Sequence, residues 1–254
     1  RSSFRAVKIS PDGRYLAATV PLENLTALVV MDLKSKKVTG SFKPQAKAHI
    51  QDFYWVSNER LLFRSSIREG RFASPFLIPV YYAMNADGTK IGTAYGDGKE
   101  PELLDTLKAD DKYVLVQFRS KEGLATVGRM NVENGAIIDS FKKPPVEAPG
   151  QYVTDNSAEV RLYVTGKSYK DQKVYVRVGD DWDWKVLHET KQSEQDFSFK
   201  GFSGDNSLAY FALSEKTGPD ALYSYHLKTG EKKAITRDDN VNPGELLSSQ
   251  PDDG

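Results

Sequence analysis

Apolar and polar residues alternate, or apolar residues run together, over strand-length windows along most of the chain. Two clear windows are residues 14–20 and 26–32, and similar ones follow as far as residue 235. β-branched and aromatic residues fill them, while Gly, Pro, Asp and Asn stand between them. Stripes of apolar residues at the helical spacing of three and four are nearly absent. The pattern predicts an all-β chain.

A turn motif recurs at a near-constant interval. It is first written Ser10-Pro11-Asp12-Gly13, and a strand-like window follows each copy. The turn centres lie roughly 45 to 52 residues apart, at Asp12, Asn58, Asp110, Asp155, Asp205 and Asp252. A second marker, the hairpin after the middle strand of each repeat, recurs roughly every 46 to 53 residues, at Asp32, Asn85, Asn131, Gly179 and His226. Because two independent markers recur with the same period, we interpret the period as that of a repeated structural unit.

This period is typical of one blade of a β-propeller. We therefore expect a single propeller domain over residues 1–254, built from four-stranded antiparallel blades, with about five repeats and the start of a sixth. The predicted blades are residues 5–47, 48–98, 99–146, 147–193, 194–240 and, incompletely, 241–254. The last turn falls on residues 251–254, so we expect the sequence to stop inside a repeat.

Aromatic residues cluster in segments that precede some of the turns. In segments 52–56 and 196–199, they form either the outermost strand of the preceding blade or the lead strand of the next. The sequence leaves both assignments open. We interpret the aromatic side chains as packing between adjacent blades.

Composition narrows the classes of partner. The chain has 35 basic and 35 acidic residues and no net charge, which makes nucleic acid an unfavoured partner. No apolar run reaches the roughly 18 residues of a membrane span. The absence of cysteine excludes disulfides, thiolate metal sites and a cysteine nucleophile. The compartment stays open between bacterial periplasm or secretion and cytoplasm.

Catalytic and cofactor motifs are absent from the sequence pattern. The segment around Ser203 resembles half of a nucleophile elbow, but Asp205 stands where the second glycine is required. His49, His188 and His226 are far apart and lack metal-ligand spacing, so each is interpreted as a surface or packed histidine. We expect no catalytic residue, metal or cofactor in these residues.

One long excursion interrupts the second repeat, over residues 65–79, where other repeats use only a short connection. Long loops on a rigid scaffold often carry binding. Arg68, Arg71 and Phe72 suit contact with a carboxylate or with a partner surface and are the predicted substrate contacts. The alternative is a solvated loop without a binding role.

The opening repeats resemble those of a known family. Segments 9–17, 26–32 and 52–62 are similar to the first blades of prolyl oligopeptidase family (S9) serine peptidases. The dipeptidyl-aminopeptidase and acylaminoacyl-peptidase-like enzymes of bacteria are the most similar branch. The resemblance spans nearly the whole chain and is strongest over residues 5–65.

The resemblance implies a non-catalytic role. In that family a propeller precedes an α/β-hydrolase domain that carries the catalytic serine, aspartate and histidine, and none of these can be placed in residues 1–254. The implied partners are a C-terminal α/β-hydrolase domain of the same polypeptide and a peptide substrate, which the propeller gates and positions. Aminopeptidase, endopeptidase and acyl-peptidase specificity all remain open.

A second function is also consistent with the motif. The Ser-Pro-Asp-Gly turn marks TolB-like propellers too, which bind protein or peptide partners without catalysis. In either case an uncovered blade would expose an apolar face, so self-association through that blade edge is expected.

Overall fold

A computed structural model describes residues 6–67, 80–93, 101–108, 110–119, 124–139, 144, 146, 148–166, 168–179, 183–238 and 240–244. The regular secondary structure of these residues is almost entirely β-strand, as predicted. Contacts divide the chain into two compact units, residues 1–120 with 126–141, and residues 121–125 with 142–254.

The first unit contains three sets of four strands. The first set is β1 (Val7–Ile9), β2 (Tyr15–Pro21), β3 (Thr26–Asp32) and β4 (Lys37–Phe42). The second is β5 (Ala48–Trp55), β6 (Arg60–Ile67), β7 (Val80–Asn85) and β8 (Gly92–Thr93). The third is β9 (Glu102–Asp105), β10 (Tyr113–Arg119), β11 (Ala125–Asn131) and β12 (Ile137–Asp139).

The second unit contains two further four-stranded sheets. One is β13 (Gly150–Thr154), β14 (Val160–Thr165), β15 (Lys173–Val178) and β16 (Asp183–Glu189). The other is β17 (Phe197–Phe202), β18 (Leu208–Leu213), β19 (Ala221–His226) and β20 (Lys232–Thr236). A four-residue helix, α1 (Thr190–Ser193), and a short 3-10 turn at Tyr169–Asp171 complete the described secondary structure.

Strands that are consecutive in each set pair antiparallel, in chain order. Among the described residues, one parallel pair, Thr26 with His49, joins the first set to the second, so these eight strands are hydrogen-bonded to one another. Each set of four strands is called a sheet below. The sequence left open whether the aromatic segments end one blade or begin the next. The strand pairing answers this, because β5 pairs with β6 and β17 pairs with β18. They are therefore the lead strands of the following sheets.

Neighbouring sheets of the first unit pack face to face. Between the first and second sheets lie buried side chains such as Leu28, Phe53 and Phe63, and between the second and third lie Leu62 and Val116 with their neighbours. The prediction that aromatic residues pack between sheets is confirmed here. Burial of this apolar surface is what holds the stack of sheets together.

The second unit repeats this packing. Its core joins Leu162 and Val176 of one sheet to Phe197 and Phe211 of the next. The rings of Phe197 and Phe211 stack with centroids 5.1 Å apart, and Tyr223 continues the stack at 5.9 Å from Phe211. No helix in the described part of the chain is long and apolar enough to cross a membrane.

At two of the recurring turns, a serine hydroxyl holds the turn in shape. Ser10 Oγ donates to Asp12 Oδ1 at 2.6 Å and accepts the backbone N–H of Tyr15 at 2.9 Å. The turn between β17 and β18 has the same network, with Ser203 Oγ donating to Asp205 Oδ1 at 2.6 Å and accepting from Leu208 N at 2.9 Å. Each network stabilises the connection between the first two strands of its sheet.

Candidate functional site

The predicted substrate contacts Arg68, Arg71 and Phe72 lie outside the described residues. The strands on either side of the excursion are β6, which ends at Ile67, and β7, which begins at Val80. The structure places a pocket at this point, which we call the β6–β7 pocket. Its volume is about 340 Å³, and its lining residues are Phe42, Lys43, Pro44, Gln45, Ala48, Ser65, Ser66, Ile67, Val80 and Tyr82.

The pocket lies beside an aromatic cluster. The ring centroids of Phe42 and Tyr82 are 5.0 Å apart, and those of Phe42 and Phe63 are 4.9 Å apart. Strand register explains the convergence, because Phe63 pairs with Tyr82 and Ser65 pairs with Val80, so all four side chains lie on one face of the sheet. The end of β4 carries Phe42 to the same face.

Two polar groups of the pocket stand out by their environment. Ser66 is only 4% exposed, and its hydroxyl is buried with no hydrogen-bond partner among the described residues. Lys43 is exposed, and its ammonium forms no ion pair within the described part of the chain. None of the lining residues is acidic. The pocket is therefore apolar inside, with an available hydroxyl and a positive charge at its rim.

A second, larger cleft lies in the second unit, between the β13–β14 turn and the β17–β18 turn. Its volume is about 680 Å³, and it is lined by Asp155, Ser157, Glu159, Arg161, Arg177, Asp205 and Asn206. Inside it, Arg161 Nε lies 2.7 Å from Asp155 Oδ2, and both side chains are largely buried. Burial also lowers the pKa of the Arg177 guanidinium, which donates to the carbonyl of Val160 at 3.3 Å.

Hydrogen bonds across this cleft tie the two turns together. Asn156 Nδ2 donates to the carbonyl of Ser203 at 2.9 Å, and Asn206 Nδ2 donates to Ser157 Oγ at the same distance. The hydrogen bond from Ser203 lowers the pKa of Asp205 to about 2, so this carboxylate is charged at neutral pH. The polar groups of the cleft thus serve the junction between two sheets.

The histidines lie in separate local environments, as the sequence predicted. His49 Nδ1 is 2.9 Å from Thr26 Oγ1, and His188 is buried with Nε2 2.8 Å from the carbonyl of Gln195. His226 Nδ1 accepts the backbone N–H groups of Lys228 and Thr229, which caps the β19–β20 hairpin. In the described residues, no group of three or more His, Cys, Asp or Glu side chains could hold a metal ion.

Sequence reasoning missed the β6–β7 pocket. Phe42 and Tyr82 lie in different repeats, and each reads as an ordinary inward-facing strand residue. Ser65 was identified only as the first residue of the excursion. The one available signal was the position of that excursion between two strands, because irregular connections on a rigid sheet often border a site.

Comparison with known proteins gives results only at the level of structure. No protein-family profile matches the chain, and no curated protein matches it. The β-propeller domain of the trilobed protease from Pyrococcus furiosus matches with a TM-score of 0.50 and 16% identity, over 94% of this chain and 70% of that one. This chain has a β-propeller fold.

Two further matches are chains of whole peptidases. A prolyl endopeptidase matches with a TM-score of 0.52 and 15% identity, over 92% of this chain but 34% of that one. An acylaminoacyl peptidase from Pyrococcus horikoshii matches with a TM-score of 0.49 and 16% identity, over 94% of this chain and 39% of that one. This propeller thus spans well under two thirds of those peptidase chains, and the predicted resemblance is confirmed for the fold.

Proposed function

We propose that this chain is the non-catalytic propeller portion of a prolyl oligopeptidase family serine peptidase. In this proposal it gates and positions peptide substrates for a C-terminal α/β-hydrolase domain of the same polypeptide. The observation that carries it is the match of 92% of the chain to part of a prolyl endopeptidase, with a TM-score of 0.52. The similarity of segments 9–17, 26–32 and 52–62 to that family supports it independently.

The physical role of the propeller in this proposal is control of access and orientation. Bond breaking belongs to the serine, histidine and aspartate of the hydrolase domain, in which the serine attacks the peptide carbonyl and the histidine relays the proton. The propeller would contribute by restricting which peptides reach the hydrolase domain and by orienting those that do.

The decisive experiment uses the full-length protein with a fluorophosphonate probe, which labels activated serines. We expect one labelled serine outside residues 1–254, in a Gly-X-Ser-X-Gly sequence, and hydrolysis of short peptides but not of folded proteins. The 254-residue chain serves as the unlabelled control. A full-length protein without a labelled serine would overturn the proposal and favour the TolB-like binding function.

Arg68, Arg71 and Phe72 remain proposed substrate contacts. The proposal rests on their position in the excursion between β6 and β7. In the full-length peptidase, replacing both arginines by alanine should raise KM for peptides several-fold, because two positive charges that contact the substrate are lost. Unchanged KM and kcat would remove these residues from the site.

We also propose that copies of this chain associate through the first sheet. The face of β1 and β2 that points away from the second sheet carries Val7 opposite Ala18 and Ile9 opposite Leu16. Val7 is 51% exposed and Ile9 is 57% exposed. An apolar sheet face of this kind favours burial against a second sheet, and we propose that another copy supplies it.

A further inference from the structure

We infer that the β6–β7 pocket binds an apolar or aromatic side chain that has a carboxylate beside it, as in the C-terminal residue of a peptide. The inference extends the proposed function, because it names the end of a peptide that the propeller recognises. Its test needs only the 254-residue chain, so it does not depend on a hydrolase domain.

The size of the pocket supports a small ligand. A volume of about 340 Å³ lies at the lower end of small-molecule pockets, which begin near about 300 Å³. It accommodates one large side chain with its adjoining backbone and no long segment. The described strands β6 and β7 and the segment after β4 form its walls.

The inner surface selects an apolar group. Phe42 and Tyr82 present aromatic rings, while Ile67, Val80 and Ala48 present aliphatic carbon. A ligand ring can contact the Phe42 and Tyr82 rings at the tilted geometry that these two rings already show, with an interplanar angle of 42°. A polar side chain placed here would lose its hydration without gaining partners.

The two polar groups select a neighbouring carboxylate. A buried hydroxyl that has no partner is costly, so a ligand oxygen that accepts from Ser66 is favoured. Lys43 at the rim supplies a positive charge that no described acidic side chain pairs with. Since the lining has no carboxylate, a ligand ammonium group would have no ion-pair partner in the pocket. The pocket therefore favours the C-terminal carboxylate of a peptide over its N-terminal amine.

Binding of three small probes to the 254-residue chain, measured by isothermal titration calorimetry, tests the inference. The probes are N-acetyl-L-phenylalanine, its carboxamide and N-acetylglycine. We expect N-acetyl-L-phenylalanine to bind best, its carboxamide about tenfold more weakly because a charge-assisted hydrogen bond is lost, and N-acetylglycine not to bind measurably.

Variants locate the site. Lys43→Met keeps an unbranched apolar side chain but removes the charge. It should weaken the binding of N-acetyl-L-phenylalanine about tenfold and leave the affinity for the carboxamide unchanged. Lys34→Met, at an exposed lysine of the β3–β4 hairpin outside the pocket, is the matched control and should change neither. Val80→Phe should abolish binding of both, because the larger side chain fills the pocket, and circular dichroism checks that this variant folds.

Each contrary outcome overturns a stated part of the inference. If the folded chain does not bind N-acetyl-L-phenylalanine, the pocket is not a site for this chemistry. Equal affinity for the acid and the carboxamide would exclude the carboxylate contact, and undiminished binding by folded Val80→Phe would exclude this location. None of these results bears on serine labelling in the full-length protein, so the inference and the proposed function can fail separately.

Discussion

At the scale of single residues, Ser10 stabilises the first of the repeated turns with two hydrogen bonds. Ser10 is almost fully buried, and its hydroxyl is both donor to Asp12 and acceptor for Tyr15 N. The hydrogen bond from Ser10 is also the main reason that the pKa of Asp12 lies below its usual value. One hydroxyl therefore holds the carboxylate and the backbone of the turn together.

Ser10→Ala should lower the free energy of unfolding by about 1 to 3 kcal/mol, because the buried N–H of Tyr15 loses its side-chain acceptor. Ser203→Ala should act in the same direction at the β17–β18 turn, where Leu208 N loses its side-chain acceptor. Urea unfolding measures both. The exposed Ser35→Ala is the control, and an effect of Ser10→Ala no larger than this control would contradict the prediction.

A buried histidine couples the fold to pH. Burial is the main cause that lowers the pKa of His188, and the charge of Lys232 lowers this pKa further. The hydrogen bond to the backbone carbonyl of Gln195 and the negative charge of Asp196 raise it, but by less. The folded state thus favours the neutral imidazole more than the unfolded state does. The resulting stability is present above the unfolded pKa of about 6.5 and is lost as pH falls toward the lowered folded pKa.

We therefore expect the free energy of unfolding to fall between pH 7.5 and pH 5.5, and to fall less in His188→Gln. Urea unfolding at both pH values makes the comparison. His226→Asn is a suitable control, because Asn131 already caps the equivalent β11–β12 hairpin by accepting the N–H of Glu133. An equal drop in wild type and in His188→Gln would contradict the assignment.

At the scale of elements, close backbone approach joins the first two sheets. A Cβ added at Gly40 of β4 would lie 2.7 Å from Gly88 N and 2.8 Å from the carbonyl oxygen of Ala86. Thr39 Oγ1, next to it, donates to the same carbonyl at 2.8 Å. Glycine at position 40 is thus required by the contact between β4 and the hairpin that follows β7.

Gly40→Ala should lower the free energy of unfolding by about 1 to 3 kcal/mol, because backbone on both sides must move to admit the methyl group. Gly92→Ala is the matched control within β8, since no atom lies within 4 Å of its added Cβ. Thermal unfolding of both variants gives the test. Equal melting temperatures for the two would show that the contact is loose.

Strand positions were largely predictable at this scale. The window 26–32 coincides with β3, and the window 14–20 differs from β2 by one residue at each end. Alternation and turn chemistry are local properties, so they are readable from short windows. The strand with which each aromatic lead strand pairs was not predictable, because pairing depends on residues outside the window.

At the scale of the whole molecule, we expect the face of the first sheet that carries the exposed residues Val7 and Ile9 to govern self-association. Val7 and Ile9 share this face with Leu16, Ala18 and Val29. We predict that the chain forms oligomers through it at micromolar concentration. Ile9→Lys should shift the distribution toward monomer, because a lysine there carries charge into an apolar contact.

Sedimentation velocity at several concentrations, with and without Ile9→Lys, measures this prediction. Lys8→Arg is the control, because Lys8 lies on the opposite face of β1 and its ammonium donates to the carbonyl of Phe53. A wild-type chain that sediments as a compact monomer at all concentrations, without binding an apolar dye, would contradict the prediction.

The sequence by itself determined the β class, the period, the turns and most strand windows, because hydrogen bonds such as those of Ser10 link residues only a few positions apart. It could not determine which distant side chains meet. The β6–β7 pocket exists because sheet packing brings Phe42 onto the face of Tyr82 and Ser65, and the environment of Gly40 depends on a hairpin in another sheet. Those contacts arise only when the sheets stack, so only the tertiary structure decided the candidate site and the exposure of Val7 and Ile9.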